Sequence, residues 1–332
     1  MAEPVVSVVI AAYNAGETLG CTLASVLAQT HDSLEVVVVD DGSTDDTAEI
    51  IERAAAGDDR VSPVSYGGNR GRSFARNEGM RQSTGEWIAV VDADDLLAHT
   101  RFEQMLAAAS RFPSTRLITD DRIGWRLDHL GFVHVEHRFC ARHTWRLGGP
   151  RPLDRRHHFT DRFGHLDMFV RRDFWESTGV QYPDDMARCE DLCVYNSLLF
   201  WPDDPEPVRV AQPTYYYRLA PTSRAGGGPA ALSDMARRAV ETTGSDELAE
   251  LSRRYQPAHS WLYRREDAKM AAAGRLGDPQ AAEPLVPITP DAKVGAPALV
   301  GLKALQLLGR FSDRTANPLI AQDIARQLER TV

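Results

Sequence analysis

The first hundred residues alternate between short apolar runs and longer segments with apolar residues at helical spacing. The runs, rich in β-branched residues, cover residues 5–11, 34–39, 61–66 and 87–91. Amphipathic segments follow them at residues 17–29, 44–56, 72–82 and 99–111. Continuous apolar strands that alternate with amphipathic helices predict βαβ units, and therefore an α/β fold with an open, mostly parallel sheet flanked by helices.

Beyond residue 112 the pattern is more mixed. Residues 116–126 and 131–139 indicate two strands, which we expect to pair antiparallel. An Arg- and His-rich stretch over 142–162 predicts a loop, and 164–170 and 188–200 predict a return to the sheet and a helix. The glycines in "AGGGPA" (residues 225–230) predict a linker, and the chain beyond it has helical spacing with a Pro-containing interruption over 279–297.

Composition and charge narrow the function classes. The chain of 332 residues is 43% hydrophobic and 26% charged, with a formal net charge of −9, which argues against a general nucleic-acid binder. Four cysteines have no metal-finger spacing, and Cys189 and Cys193 are spaced as on a packed helix face, which fits a reducing compartment. The N-terminus lacks a signal-peptide pattern, and no window approaches a membrane span, so we expect a cytoplasmic location, with peripheral membrane contact left open.

Acidic residues gather where the predicted strands end. Asp40 and Asp41 follow the second strand, and Asp92, Asp94 and Asp95 follow the fourth. In an open parallel sheet, ligands bind outside the carboxyl ends of the strands, so these acids should face one site. The segment after the first strand contains neither a dinucleotide-binding Gly-x-Gly-x-x-Gly nor a P-loop, which makes a Rossmann dehydrogenase a poor fit.

Grouped carboxylates repel one another and therefore require a cation. At an extended strand end, residues two apart point the same way, so Asp92 and Asp94 can address one ion. Oxygen ligands favour Mg²⁺ or Mn²⁺, often shared with substrate phosphates. The alternative is that Asp94 and Asp95 simply cap the following helix.

Several motifs occur together in order. They are "SVVIAAYNAGETLG", "VVVVDDGSTDDT", "GNRGRSFARNEGM" and "TGEWIAVVDADD", followed by the weaker "RCEDLCVYNSLL" and "YYYRLAPTS". With them the chain resembles a family 2 glycosyltransferase with the GT-A fold, strongly over about residues 5–100 and weakly to about residue 224. The resemblance implies an inverting enzyme that uses a nucleotide-diphosphate sugar, usually a UDP-sugar.

The resemblance also implies an organisation into parts. Residues 1–224 would form the glycosyltransferase domain, with a nucleotide-sugar-binding half over 1–112 and an acceptor-binding half over 113–224. Residues 230–332 would form a helical C-terminal extension, open to contact with a partner or with a second copy of the chain.

The resemblance further implies roles for individual residues on the donor side. Asp41 matches the acid that contacts the nucleobase, and Arg76 matches a residue close to the uracil. Asp92 corresponds to the first acid of the DxD motif, near the ribose, and Asp94 to the metal-binding acid, so Asp92 and Asp94 are the predicted ligands of Mn²⁺ or Mg²⁺. The remaining predicted donor-binding residues are Ala12, Tyr13, Ala93 and Arg218, the last of which lies in a segment that in the family often closes over the diphosphate.

Displacement at an anomeric carbon by an acceptor hydroxyl requires a general base on the acceptor side. Glu190 and Asp191 lie at the start of a predicted helix, whose N-terminal end favours negative charge. They match the family's ED motif, so we predict Asp191 as the base and Glu190 as its orienting neighbour. First-turn capping by the two acids is the alternative.

The basic stretch over residues 138–172 allows more than one interpretation. Residues 138–172 contain nine Arg against three Asp, which fits either a phosphate or acceptor clamp or a solvated face. The four histidines there, His143, His157, His158 and His165, have no paired metal-ligand spacing.

Two other function classes compete with the transferase. A sugar nucleotidyltransferase would carry a Gly-rich basic loop after the first strand, which is missing here. A non-catalytic sugar-nucleotide or glycan-binding module would not need the intact acids. The sugar, the choice between UDP and dTDP, and the glycan, cell-wall or small-metabolite acceptor are not determined by these motifs.

Overall fold

A computed structural model of the chain describes residues 5–127, 133–138, 149–162, 167–219, 228–254 and 318–329. The strands are β1 Val6–Ala12, β2 Leu34–Asp40, β3 Val61–Ser65, β4 Trp87–Asp92, β5 Leu96–Leu97, β6 Leu117–Leu127, β7 Val133–Arg138, β8 Arg151–Pro152, β9 Phe169–Arg171 and β10 Val208–Arg218. The helices are α1 Leu19–Leu27, α2 Thr47–Gly57, α3 Arg72–Gln82, α4 Arg101–Arg111, α5 Arg155–Arg162, α6 Arg172–Thr178, α7 Glu190–Leu199, α8 Gly228–Thr243, α9 at residues 246–254 and α10 Pro318–Glu329.

The four N-terminal strands form a parallel sheet in the order β3-β2-β1-β4, as the alternating pattern predicts. Their register aligns the carboxyl ends, because Ala12 lies beside Asp40 and Ala11 beside Asp92. The central strands are mostly apolar because helices cover the sheet, and Val8 and Val36 are completely buried. The prediction that the acids of β2 and β4 share one edge of the sheet is therefore confirmed.

The sheet continues past β4 in the order β9-β6-β10-β5. Here β9 runs antiparallel to both β4 and β6, while β6 and β10 are parallel, so the sheet as a whole is mixed and mostly parallel. The predicted antiparallel pairing of the two strands after residue 112 is confirmed by β6 and β7. The long strand β10 was not predicted.

A loop was predicted over residues 142–162. For residues 151–162, which the structure describes, this prediction is wrong. Strand β8 and helix α5 lie there, while residues 142–148 are outside the described ranges. The helical period is weak in this polar segment, and ion pairs hold the helix instead. Arg155 and Arg156 contact Glu247 on α9 at 3.0 and 2.8 Å.

Two further arginines of this stretch, Arg171 and Arg172, also contact the fold itself. Arg172 donates to the backbone carbonyl of Gly85 at 2.6 Å, and Arg171 donates to Asp173 at 2.6 Å. His143 and His165 lie outside the described residues, whereas His158 is buried on α5. These contacts favour a structural role for the described part of the basic stretch.

The predicted linker over 225–230 is also partly wrong. Helix α8 begins at Gly228, within the predicted linker. The first three residues of that linker, 225–227, lie outside the described ranges. A proline is tolerated in the first turn of a helix, so Pro229 does not prevent this start. Helix α8 packs on α7 through a buried cluster that includes Cys193 and Met235, so the cysteine pair does lie on a packed helix face.

Helix α10 packs against the other end of the sheet. Its residues Ile324 and Leu328 share a buried cluster with Leu96, Trp125 and Tyr216. Gln327 donates to the carbonyl of Leu97 at 2.9 Å, and the Tyr216 hydroxyl donates to Asp323 at 2.9 Å. Among the residues that the structure describes, no helix combines the length and the hydropathy needed to cross a membrane.

Candidate functional site

The chain turns sharply where β4 ends, over residues 92–95, which we call the DADD turn. The backbone N–H of Asp95 donates to the carbonyl of Asp92 at 3.2 Å, which closes the turn. One carboxylate oxygen from each of Asp92, Asp94 and Asp95 lies within 4.8 Å of the others. The capping alternative is wrong, because β5 follows directly and α4 begins only at Arg101. The turn also brings Asp95 into the cluster, which alternation along a strand does not predict.

Contacts from distant elements hold this turn in place. The carbonyl of Ala93 accepts hydrogen bonds from the hydroxyls of Thr18 and Thr22 at 2.9 and 3.0 Å. The N–H of Asp92 donates to the hydroxyl of Tyr215 at 3.2 Å. The backbone of the DADD turn is therefore positioned by α1 and β10 together.

The end of β10 is joined to the turn through the deepest acid. The Asp95 carboxylate, fully buried, accepts the backbone N–H of Arg218 at 2.7 Å. The Arg218 guanidinium lies 5.8 Å from the centre of the Trp125 ring. Its charge opposes the upward shift in the pKa of Asp94, which places Arg218 on the same side as the acid cluster.

The three acids have different electrostatic environments. Burial and then the charge of Asp92 raise the pKa of Asp94 to about 6. Burial, followed by the charges of Asp94 and Asp92, raises the pKa of Asp95 well above its ordinary value. Burial would raise the pKa of Asp92 too, but the charge and hydrogen bond of Arg76 outweigh it and hold this pKa below its ordinary value. A divalent cation would offset the electrostatic repulsion among the carboxylates of Asp92, Asp94 and Asp95. Three carboxylate oxygens are a donor set suited to Mg²⁺ or Mn²⁺.

Arg76 lies on α3 and is buried, with 7% of its surface exposed. One terminal nitrogen donates to Asp92 at 2.6 Å and the other donates to Glu190 at 2.9 Å. The guanidinium also lies 5.2 Å from the centre of the Tyr182 ring. One side chain thus links the DADD turn to the ED pair, and an exposed position for this arginine is excluded.

Helix α3 makes further contacts with the second half through the next residue. The Asn77 side chain donates to the carbonyl of Tyr182 and accepts its backbone N–H, both at 2.8 Å. The helix lies close to the sheet at Gly79, where an added Cβ would be 2.4 Å from a methyl group of Val9. A larger residue there would push α3, and with it Arg76, away from the sheet.

The ED pair begins α7, as predicted, and its two acids differ in exposure. Glu190 is 3% exposed, whereas Asp191 is half-buried and accepts the backbone N–H of Leu192 at 2.8 Å. Burial, and then the charge of Asp191, raise the pKa of Glu190, while Arg76 opposes the shift. Arg72, one turn before Arg76 and mostly exposed, lies 3.7 Å from Glu190. Asp191 is therefore the acid of the pair that is open to a substrate.

Asp41 is buried below the loop that precedes α3. Its carboxylate accepts the Tyr66 hydroxyl at 3.0 Å and the backbone N–H groups of Arg70 and Gly71 at 2.7 and 2.9 Å. A carboxylate has about four acceptor positions, so three of them are used within the chain. Beside it Ala12 is buried and Tyr13 is 49% exposed. Asp41 thus shapes this loop in addition to any contact with a ligand.

Two residues to which the sequence assigned no role connect the halves. Asn77 and Tyr215 each make a hydrogen bond across more than one hundred residues in sequence. Asp95 was expected near the other acids, but its hydrogen bond to the end of β10 was not predicted. The spacing of Arg72 and Arg76, one helical turn apart, was the available signal for a basic face on α3 directed at an acid.

Relatives of known name match part of the chain. The chain is 30% identical over 208 residues to succinoglycan biosynthesis protein ExoU of Rhizobium meliloti (strain 1021), which covers 58% of this chain and 56% of ExoU. It is 42% identical over 106 residues to succinoglycan biosynthesis protein ExoO of the same organism, covering 32% of this chain and 30% of ExoO. The matched region is thus about half of ExoU and less than a third of ExoO.

Solved structures share the architecture. The S. aureus TarS fragment 1-349 in complex with UDP-GlcNAc matches with a TM-score of 0.61 at 19% identity, over 74% of this chain and 69% of that one. Mannosyltransferase PcManGT from Pyrobaculum calidifontis, in complex with GDP-Man and Mn²⁺, matches with a TM-score of 0.50 at 18% identity, over 100% of this chain and 86% of that one.

The family assignment rests on sequence over half of the chain. The model of glycosyl transferase family 2 matches residues 7–176, a range that contains the parallel half of the sheet, the DADD turn and α3. With the fold and the acidic edge already described, the chain belongs to glycosyl transferase family 2 and has the GT-A architecture.

Proposed function

We propose that the protein is a metal-dependent inverting glycosyltransferase that moves a sugar from a nucleotide-diphosphate donor, a UDP-sugar, to an acceptor hydroxyl. One observation carries this proposal. The three-carboxylate DADD turn and the ED pair are brought to one site, with Arg76 bonded to both. Acids that would hold a cation thus lie beside an acid that can act as a base.

The cation would be Mn²⁺ or Mg²⁺, held by Asp94 and Asp92, with the adjacent Asp95 as a third carboxylate. A metal bound here supplies Lewis-acid stabilisation of the negative charge that develops on the departing diphosphate. Among the neighbours, PcManGT binds GDP-Man together with Mn²⁺. The raised pKa of Asp94 supports this assignment, because a site with too much negative charge of its own gains from a cation.

The nucleotide would lie along the carboxyl ends of β1 and β2. We assign its binding to the first loop at Ala12 and Tyr13, to the region of Asp41, and to Ala93 of the DADD turn. The exposed ring of Tyr13 offers an apolar surface to the base or ribose. Arg218 would approach the diphosphate from the end of β10, on the side of the acid cluster. TarS, which has a similar fold, binds UDP-GlcNAc.

Asp191 would accept the proton of the acceptor hydroxyl as that oxygen attacks the anomeric carbon from the face opposite the diphosphate. This single displacement inverts the anomeric configuration. Asp191 is partly open, whereas Glu190 is buried against Arg76, which fits a base with an orienting neighbour.

The parts of the chain follow from these roles. Residues 1–112 would bind the donor and 113–224 the acceptor, a glycan, cell-wall polymer or small metabolite, and residues 230–332 would extend the domain. A cytoplasmic location, peripheral membrane contact and self-association through the C-terminal helices are further parts of the proposal. A sugar nucleotidyltransferase is less well supported, because the loop after β1 lacks the basic, Gly-rich character such enzymes need for triphosphate binding.

The test is binding followed by turnover. We expect UDP with Mn²⁺ to raise the melting temperature more than either alone, because each supplies part of the other's binding site. A panel of nucleotide sugars should then include a donor that is slowly hydrolysed without acceptor and only with the metal. Absence of both effects with all nucleoside diphosphates would reject the proposal, and release of pyrophosphate from a nucleoside triphosphate and a sugar phosphate would favour the nucleotidyltransferase.

A further inference from the structure

We propose that Arg76 is a positioning residue that sets the distance between the donor side and the acceptor side of the site, instead of a contact for the nucleobase. This inference rests on the proposed function for its kinetic part. Its structural part concerns contacts within the chain itself.

The geometry of the guanidinium carries the proposal. Its two terminal nitrogens are directed to different acids, one to Asp92 at 2.6 Å and one to Glu190 at 2.9 Å. Arg offers donors in a rigid planar fork, so two acids bound to one guanidinium have a defined separation. The acids belong to β4 and α7, which are almost one hundred residues apart in sequence.

The surroundings of Arg76 leave little freedom for another role. Its side chain is 8% exposed, and the Tyr182 ring lies against the guanidinium at 5.2 Å. The next residue, Asn77, exchanges two hydrogen bonds with the backbone of Tyr182, which fixes α3 against the segment leading to α7. A guanidinium held in this way is engaged with two acids and a ring of the chain itself.

The charge balance supports the same conclusion. Glu190 is 3% exposed, and an acid that is so deeply buried needs a partner. Arg76 is its shortest ion pair at 2.9 Å, and Arg72 is more distant at 3.7 Å. Because the same guanidinium donates to Asp92 and to Glu190, a displacement of the DADD turn also moves the partner of the residue beside the proposed base.

The experiment combines Arg76→Met, Arg76→Lys, Glu190→Gln and the double variant Arg76→Met/Glu190→Gln. Arg81→Met is the matched control, because Arg81 is on the same helix but half-exposed and paired only with Glu78, three residues before it. Melting temperatures without ligand form a double-mutant cycle. We expect Glu190→Gln to lower the melting temperature of the wild type but not that of Arg76→Met, where the acid has already lost its main partner.

Kinetics then separate positioning from donor binding. We expect Arg76→Met to lower kcat by about 100-fold, the size of loss that a misplacement of about 1 Å can cause, with KM for the donor changed by less than threefold. Arg76→Lys should keep the fold but recover kcat only in part, because a single ammonium cannot hold two acids in the same geometry. Arg81→Met should leave both parameters unchanged.

Two results would overturn the proposal. One is an equal loss of melting temperature from Glu190→Gln in both backgrounds, which would mean that the residues do not interact. The other is a raised donor KM with unchanged kcat in Arg76→Met, which would make Arg76 a donor-binding residue. If the wild type turns over no donor, the proposed function fails, and the melting-temperature cycle still decides whether the bridge exists.

Discussion

The two acidic motifs of the site, the DADD turn and the ED pair, solve the problem of buried negative charge differently. In the ED pair, Glu190 is neutralised by Arg76 and only Asp191 is open. In the DADD turn, Asp92 bonds to that same arginine, whereas the pKa values of Asp94 and Asp95 are raised. In the ED pair, an arginine of the chain neutralises the buried acid, so the pair needs no added ion. The DADD turn keeps an excess of negative charge, which favours the binding of a cation.

This difference predicts the largest effect for the open acid of the balanced motif. Asp191→Asn should lower transfer by about 10²–10⁴-fold, the range typical of a lost general base, while binding of Mn²⁺ with UDP is retained. Rates of transfer and calorimetric binding measure the two properties separately. Asp184→Asn is the control, because Asp184 is exposed in the segment just before the motif. Full turnover by a folded Asp191→Asn protein would remove Asp191 from the mechanism.

The second prediction concerns the unbalanced motif. At a Mn²⁺ concentration of about 100 times Kd, binding should stabilise the wild type by about 2.7 kcal/mol, and Asp94→Asn should lose most of this gain. Unfolding with and without chelator measures the effect. The gain should also shrink from pH 7.5 to pH 5.5, because the pKa of Asp94, raised to about 6, means that protons compete with the metal below that pH.

A gain that is the same at both pH values, or that survives Asp94→Asn, would contradict this picture of the DADD turn. Asp191→Asn serves as the comparison here. It removes an acid from the balanced motif, so the stabilisation by Mn²⁺ should remain.

The smallest effect concerns the packing of α10 on β5, the strand that follows the DADD turn. Gln327→Ala removes hydrogen bonds to Leu97 and Asp323, so the free energy of unfolding should fall by about 1–2 kcal/mol, given a net worth of about 1 kcal/mol for each. Arg326→Ala, an exposed change on the same helix, should have little effect. Chemical denaturation measures both variants, and equal stability would mean that α10 contributes little at this point.

How far the sequence predicts the structure differs between the halves. In the first half, the helices and strands other than the short β5 were predicted to within about three residues, because most of these strands are apolar runs between amphipathic helices. In the second half, α5 and β10 were missed. Helix α5 has many charged residues and is held by ion pairs to α9, and β10 contains a proline and polar residues within an interior strand. Local pattern is a poor guide where partners distant in sequence supply the stabilisation.

The site shows the same division. Spacing alone indicated that Asp92 and Asp94 could share an ion, but it did not predict that the turn at Ala93 would bring Asp95 to them. The acidic ED pair was placed correctly at a helix start, yet its arginine partner on α3 could not be known before folding. Each missing piece is a contact between segments that lie far apart in the chain.

The sequence by itself determined the parallel half of the sheet and the gathering of acids at its carboxyl edge, because strand period and parallel register follow from local pattern. Only the tertiary structure decided how those acids are balanced. Burial sets the cost of each charge, and the one guanidinium that Asp92 and Glu190 share reaches them because α3 packs closely on β1 at Gly79. Charge balance depends on distances in space, and those exist only once the chain has folded.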